Sequence, residues 1–270
     1  MVYPGQLFEG YLVESLLGGG GEAAVYRARA YRAPDIDDDA AVALKVLNED
    51  HRGRANIARL AREFRAIHQL EHPHIVKVHR HGEYWMTMQY IDGGNMLGLG
   101  SLDTRLEALT QIAAALDYTH RSGIVHTDVK PTNILVHQDF SRGGAVLIDF
   151  GAVHLLAEDV WHRPGEVLAS LPYAAPELLQ GRLPQAATDE YARACTALEV
   201  LTGLTPFPAD NPTALFEAHL HLPPPAVSAR VPWLSRAFDV VFARAIAKDP
   251  DRRYESCTEL IRHIAAVIKH

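Results

Sequence analysis

HTDVKPTN, His126 to Asn133, followed by IDFG, Ile148 to Gly151, is the stretch on which the rest of this sequence turns. Two acids, a lysine and an asparagine at this spacing are what a phosphoryl-transfer site needs, because catalysis there is mostly positioning and neutralisation of charge on the transferred group. Asp128 is placed to accept a hydroxyl proton, and Lys130 to lie beside a γ-phosphate. Asn133 and Asp149 offer oxygen ligands, which suit Mg2+ and not zinc.

Upstream, LGGGGEAAVYRA begins at Leu17 and sets Gly18, Gly19, Gly20 and Gly21 between two runs of strand character, YLVESLL and AVYRARA. Bare backbone N–H groups in such a turn can approach phosphates closely. The glycines alone carry little weight, since ligand-free tight turns are common. They gain weight because VALK follows on the next strand, AVALKVL, and places Lys45 where an ammonium meets α- and β-phosphates. From Asn56 to Leu70 the apolar residues Ile57, Leu60, Ala61, Phe64 and Ile67 recur at helical steps. That helix offers Glu63 as the anionic partner of Lys45. IVKVH and YWMTMQY return to strand character, and IDGGNMLGLG is too rich in glycine for regular structure. Helices then dominate: LDTRLEALTQIAAALDYTH with Ser101 or Asp103 as its cap, TDEYARACTALEVLTG, PTALFEAHL, RAFDVVFARAIA and CTELIRHIAAVI. ILVHQ and AVLIDF read as a small hairpin turning through SRGG.

A formal charge of −7 argues against a surface built for nucleic acid or anionic membrane. With 48% hydrophobic residues, a sizeable core is available. The two cysteines, Cys195 and Cys257, sit in apolar helical contexts and read as buried thiols, which suits a reducing, cytoplasmic setting. No stretch has the apolar length of a membrane span, and the start lacks the features of a secretory leader. The acidic tract at Asp35, Asp37, Asp38 and Asp39 reads as a solvated loop. His72, His74, His79 and His81 read as loop and strand histidines, since no cysteine or regular ligand spacing accompanies them.

In this order the motifs resemble those of a protein kinase domain, and more narrowly a bacterial eukaryotic-like Ser/Thr kinase: glycine loop, Lys45, Glu63, HPHIV, the HxD loop, DFG at Asp149, APE at Ala175 to Glu177, DxY at Asp189 and KDPDRRY near the end. The resemblance covers essentially the whole chain. It implies an α+β bilobal fold, with residues 1–90 a β-rich N-lobe holding one main helix, 91–96 a hinge, and 97–270 a mostly helical C-lobe, ATP lying in the cleft between. It further implies Met88 as gatekeeper and Gln89, Tyr90 and Ile91 as the adenine-binding hinge. Val25, Ala43 and Leu135 would sandwich the base. Arg253 would pair with Glu177. Lys130 fits the Ser/Thr pattern DxKxxN, and Ser170 stands where the family has a threonine that bonds the catalytic Asp and Lys. The expected cofactors are ATP with Mg2+, or Mn2+ in its place, and the expected partners are proteins carrying Ser or Thr acceptors. The oligomeric state and the identity of the substrates are not encoded in these motifs.

The sequence departs from the family at four places. Thr127 stands where regulated kinases carry an arginine that pairs with a phosphate on the activation loop. AVHLLAEDVWHRPGEVLA, from Ala152 to Ala169, contains no Ser, Thr or Tyr, so receptor and phosphate acceptor are missing together. Activity without activation-loop phosphorylation is the expectation, the loop being ordered by packing of Leu155, Leu156, Val160 and Trp161 or by a partner. Ala23 replaces the third glycine of the phosphate loop, and the segment after the hinge is short, leaving Asn95 as the residue nearest to a ribose contact. Two alternatives are weighed. A pseudokinase would rest on Thr127 alone, against the retained Lys45, Glu63, Asp128, Asn133 and Asp149. A small-molecule phosphotransferase of the aminoglycoside-kinase type would lack the APE segment and Ser170.

Overall fold

Strands in which every second residue is apolar, broken by glycine, build the first part of the chain. The computed structural model describes residues 2–31, 40–157 and 167–268, so the acidic tract at Asp35 to Asp39 lies outside the described residues. Two compact units result, Met1–Asp92 and Gly93–His270.

The first unit holds β1 (Leu7–Phe8), β2 (Tyr11–Gly19), β3 (Ala23–Ala30), β4 (Ala41–Leu47), α1 (Arg54–His68), β5 (Val78–His81) and β6 (Trp85–Gln89). The sheet runs β1-β2-β3-β4-β6-β5 with antiparallel neighbours. Side chains alternate across it. Tyr11, Val13, Tyr26, Ala28, Val42, Leu44, Val46 and Trp85 bury one face as a continuous core. The registers Val25↔Lys45, Ala43↔Met88 and Lys45↔Met86 put those residues together on the opposite face. The strand expected at IVKVH begins only at Val78; Ile75 and Val76, both buried, precede it. Two-residue β1 is too short to show a period and was not anticipated.

The second unit holds α2 (Leu102–Arg121), β7 (Ile124–Val125), β8 (Ile134–Val136), α3 (Phe140–Gly143), β9 (Ala145–Leu147), β10 (His154–Leu155), α4 (Pro176–Leu179), α5 (Ala186–Thr202), α6 (Pro212–His221), α7 (Arg236–Ala245) and α8 (Cys257–Ile268). Ser101 caps α2, its hydroxyl accepting from Thr104 N at 3.1 Å, so of the two candidate caps Ser101 does the work. Leu109, Ile112 and Leu116 of α2 and Leu260 and Ile264 of α8 are fully buried where these helices pack. The first amides of α8 are satisfied across that interface, Cys257 N and Thr258 N donating to the Asp117 carboxylate at 2.8 and 3.0 Å. Cys195 and Cys257 are buried, and burial pushes both thiols up from their ordinary range. β8 and β9 pair as the expected hairpin, but the connection contains a helical turn, α3, where a plain SRGG turn was expected. Likewise IDGGNMLGLG is not wholly irregular: Met96–Gly98 forms one 3-10 turn.

Gly93 shows how closely backbone packs beside β8. Its amide donates to Val136 O at 3.0 Å, and a Cβ there would meet Val136 O at 2.5 Å and Gln138 N at 2.6 Å. Rigid backbone on both sides cannot yield as a side chain would. Gly93→Ala is expected to destabilise the second unit by about 1–3 kcal/mol, read as a lower urea midpoint. An unchanged midpoint would show that the chain relaxes there freely.

Candidate active site

In the first unit, the hairpin joining β2 to β3 carries Gly18 to Gly21, closed by Gly20 N donating to Ala23 O at 2.9 Å. None of these four glycines has positive φ. A Cβ at Gly18 or Gly19 would touch nothing within 4 Å, and at Gly20 only Ala23 O at 3.9 Å. Neither backbone conformation nor internal packing therefore demands glycine at these three positions, which leaves the space around the loop as the feature their small size preserves. Asn48, at the end of β4, holds the hairpin from behind: its side-chain amide donates to Gly20 O at 3.2 Å and Gly21 O at 3.0 Å, while its backbone N donates to Glu22 O at 2.9 Å.

On the sheet face bearing Val25, Ala43 and Met88, Lys45 Nζ donates to both oxygens of Glu63 at 2.8 and 2.9 Å. The Glu63 side chain is only 4% exposed, so this pair is far less screened than a surface ion pair. The helix brings Glu63 here because it falls on the buried stripe with Leu60, Phe64 and Ile67. Met88 and Ile91 are buried; Gln89 N is bonded to Lys77 O, and Arg27 stacks over the ring of Tyr90 at 5.3 Å.

In the second unit the acid, the lysine and the amide of HTDVKPTN come together. Lys130 Nζ lies 2.8 Å from Asp128 Oδ2 and donates to Ser170 Oγ at 2.8 Å, while Ser170 Oγ donates to Asp128 Oδ1 at 2.5 Å. The side-chain amide of Asn133 donates to Asp128 O at 2.9 Å and Oδ2 at 2.8 Å. Both Asp128 carboxylate oxygens are thus held by donors, and the Asn133 amide nitrogen is committed, so its carbonyl oxygen is the end left to act as a ligand. Asn133 is buried in a 3-10 turn that Pro131 pre-sets, and Ser170 stands in the 3-10 stretch Val167–Tyr173. Leu135 belongs to β8 of this unit, opposite Val146.

Behind this network sits a carboxylate that the sequence reading had noted only as a motif. Asp189, fully buried at the start of α5, accepts from His126 N at 2.8 Å, Thr127 N at 2.7 Å and His120 Nε2 at 2.7 Å. The bond from Asp128 N to His126 Nδ1 fixes that ring nitrogen as acceptor, so Nε2 carries the proton it gives to Ile148 O at 3.1 Å. Thr127 has φ +67° and Asp149 φ +60°, left-handed backbone that side-chain-bearing residues seldom adopt. At Thr127 the strain is held by Asp189 and by its own hydroxyl, which donates to Ala152 O at 2.6 Å. No local signal marks His120 as part of this network, since its partner lies 69 residues away.

Two expectations change. Asn95 Oδ1 accepts from Leu97 N at 3.0 Å, so its side chain caps its own turn where a ribose contact had been expected. Leu156 is 49% exposed, so it does not pack as expected; the chain at His154 to Leu156 is held by β10 pairing with β7 and by Leu156 N donating to Gly123 O at 2.9 Å. Val160 and Trp161 lie outside the described residues. Arg253 does meet Glu177, through two bonds of 2.8 Å.

A β-sheet unit with a Lys–Glu pair and a helical unit with this Asp–Lys–Ser–Asn network define a protein kinase. The profile of the protein kinase domain matches residues 11–264, and the chain belongs to that family. It is similar to the serine/threonine-protein kinase PknJ of Mycobacterium tuberculosis, 40% identical over 98% of this chain and 46% of the relative. It is 38% identical to PknF of the same organism, over 96% of this chain and 56% of the relative, and 34% identical to PknH, over 95% and 41%. The chain thus spans about half the length of these curated relatives. Among the described residues no helix is long and apolar enough to cross a membrane.

Proposed function

We propose that this domain transfers the γ-phosphoryl group of ATP to Ser or Thr hydroxyls of proteins. The observation that carries the reading is the closed triangle of Asp128, Lys130 and Ser170, each within 2.8 Å of the next. Asp128 orients the acceptor hydroxyl and takes its proton as the bond to phosphorus forms. Lys130 faces the transferred group, and Ser170 keeps carboxylate and ammonium in register as donor to one and acceptor from the other. Lys45, aligned by Glu63, neutralises the α- and β-phosphates, and amides of the glycine hairpin other than Gly20 N, which is bonded to Ala23 O, take the remaining oxygens. Met88, Gln89, Tyr90 and Ile91, with Val25, Ala43 and Leu135, would receive the adenine. The Asn133 carbonyl oxygen and the Asp149 carboxylate form a hard oxygen donor set that fits Mg2+, or Mn2+ in its place. Such an ion, when bound, would offset the negative charge that phosphate oxygens gather during transfer.

The names of the relatives support the serine/threonine class, and no observation favours a domain that binds nucleotide without transfer. Control without a phosphate switch follows from Thr127. Its hydroxyl makes an uncharged tether to Ala152 O, the segment that an arginine–phosphate pair would otherwise order. Incubation with γ-labelled ATP, Mg2+ and a generic basic protein is expected to yield phosphoserine or phosphothreonine, with Asp149→Asn silent. Prior treatment with a broad phosphatase is expected to leave the rate unchanged. Absence of labelled product from the unaltered domain would refute the transferase reading. Loss of activity after phosphatase, restored by Mg-ATP, would refute the switch-free one.

A further inference from the structure

The glycine hairpin and Lys45 are held by one face of one helix. Arg59 and Glu63 of α1 stand four residues apart and so point the same way. Glu63 engages Lys45 on β4, and Arg59 Nη2 donates to Glu22 Oε2 at the tip of the hairpin. The polarity is reversed between the two contacts: the helix gives an anion to the sheet's lysine and a cation to the hairpin's glutamate. Within the helix an arginine preceding a glutamate by four residues is the weaker order for an internal pair, which favours each reaching outward. Glu22 follows Gly21 directly, and its carbonyl also accepts from Asn48 N, so the ion pair acts on the backbone whose amides face phosphate.

We infer that Arg59 and Glu22 are positioning residues that couple α1 to the phosphate loop, so that displacement of the helix releases the loop and Lys45 together. The inference rests on the phosphate-binding role proposed for the loop. Arg59 and Glu22 are 30% and 31% exposed, which limits their worth to that of a partly screened pair. Their effect therefore falls on loop geometry, not on folding.

The test uses Glu22→Gln, Arg59→Gln and the charge-reversed double variant Glu22→Arg/Arg59→Glu, with two readouts. Without nucleotide, amide hydrogen exchange at Gly20 and Asn48 is expected to quicken about three- to fivefold in each single variant and to recover in the double. In kinetics, KM for ATP is expected to rise by about the same factor with kcat nearly unchanged, and again to recover. Unchanged exchange in the single variants, or a double variant no better than the two effects combined, overturns the coupling. An unaltered domain that transfers no phosphate would sink the proposed function while the exchange data still decide the coupling.

Discussion

Asp128→Asn is expected to lower the turnover number by about two to four orders of magnitude while leaving the unfolding midpoint close to that of the unaltered protein. The replacement keeps the shape of the side chain, and Asp128 is a junction, not a core residue. Its carboxylate receives Ser170 at 2.5 Å, Lys130 at 2.8 Å and Asn133 at 2.8 Å, and its backbone N–H is already taken by His126. An amide at this position can accept through one oxygen only, and it can no longer take a proton. Its nitrogen would replace one of these oxygens, so either Ser170 on Oδ1 or both Lys130 and Asn133 on Oδ2 would lose their acceptor. Steady-state kinetics with a Ser-containing acceptor, alongside thermal unfolding, separates the chemical loss from misfolding. Turnover within about tenfold of the unaltered enzyme would remove Asp128 from the role of base and leave proton transfer to solvent.

Glu177→Ala is expected to cost about 3–5 kcal/mol of stability in urea unfolding, a large loss for a single substitution. The Arg253 side chain is 0% exposed and its partner 3%. Arg253 spends its donors on both Glu177 oxygens, on Ala187 O at 2.6 Å and on Ala247 O at 2.9 Å, and Glu177 also accepts from Thr188 at 2.9 Å. Removing the carboxylate strands a guanidinium where water cannot reach it. Replacing both partners by apolar residues of similar volume, Glu177→Leu with Arg253→Met, is expected to cost less than the single change, because no buried charge is left unpaired. Arg142→Ala is the contrasting case: its pairing with Asp139 is 88% and 56% exposed, and its loss should be barely measurable. A cost below about 1 kcal/mol for Glu177→Ala would mean that the second unit relaxes to hydrate Arg253.

Much of the site was readable from the chain because its chemistry is local. Asp128, Lys130 and Asn133 lie within one turn-rich segment, and the pairing of Lys45 with Glu63 follows once a strand lysine and a helix glutamate are recognised. Helix periodicity likewise placed α1, α2 and α5 to α8 within a few residues of their observed bounds. What the sequence hid are contacts whose partners are far apart and carry no shared period. Glu22 and Arg59 are 37 residues apart, and Asp117 and Cys257 are 140 apart. Asn95 was misread for another reason: a polar residue beside a hinge looks available to a ligand, yet a short side chain at a turn start bonds its own backbone first. Leu156 was misread because apolar character was equated with burial, although backbone pairing alone can order a strand.

The three bonds gathered by Asp189 also bear on when the protein acquires its geometry. His126 and Thr127 obtain their backbone partner from a residue 62 to 63 positions further along the chain, inside a helix that ends at Thr202. During synthesis the HTDVKPTN loop therefore leaves the ribosome long before anything exists to hold it in its left-handed turn. Until α5 has emerged and packed, Asp128 has no fixed direction, and an unfinished chain carries the residues of the site without their alignment.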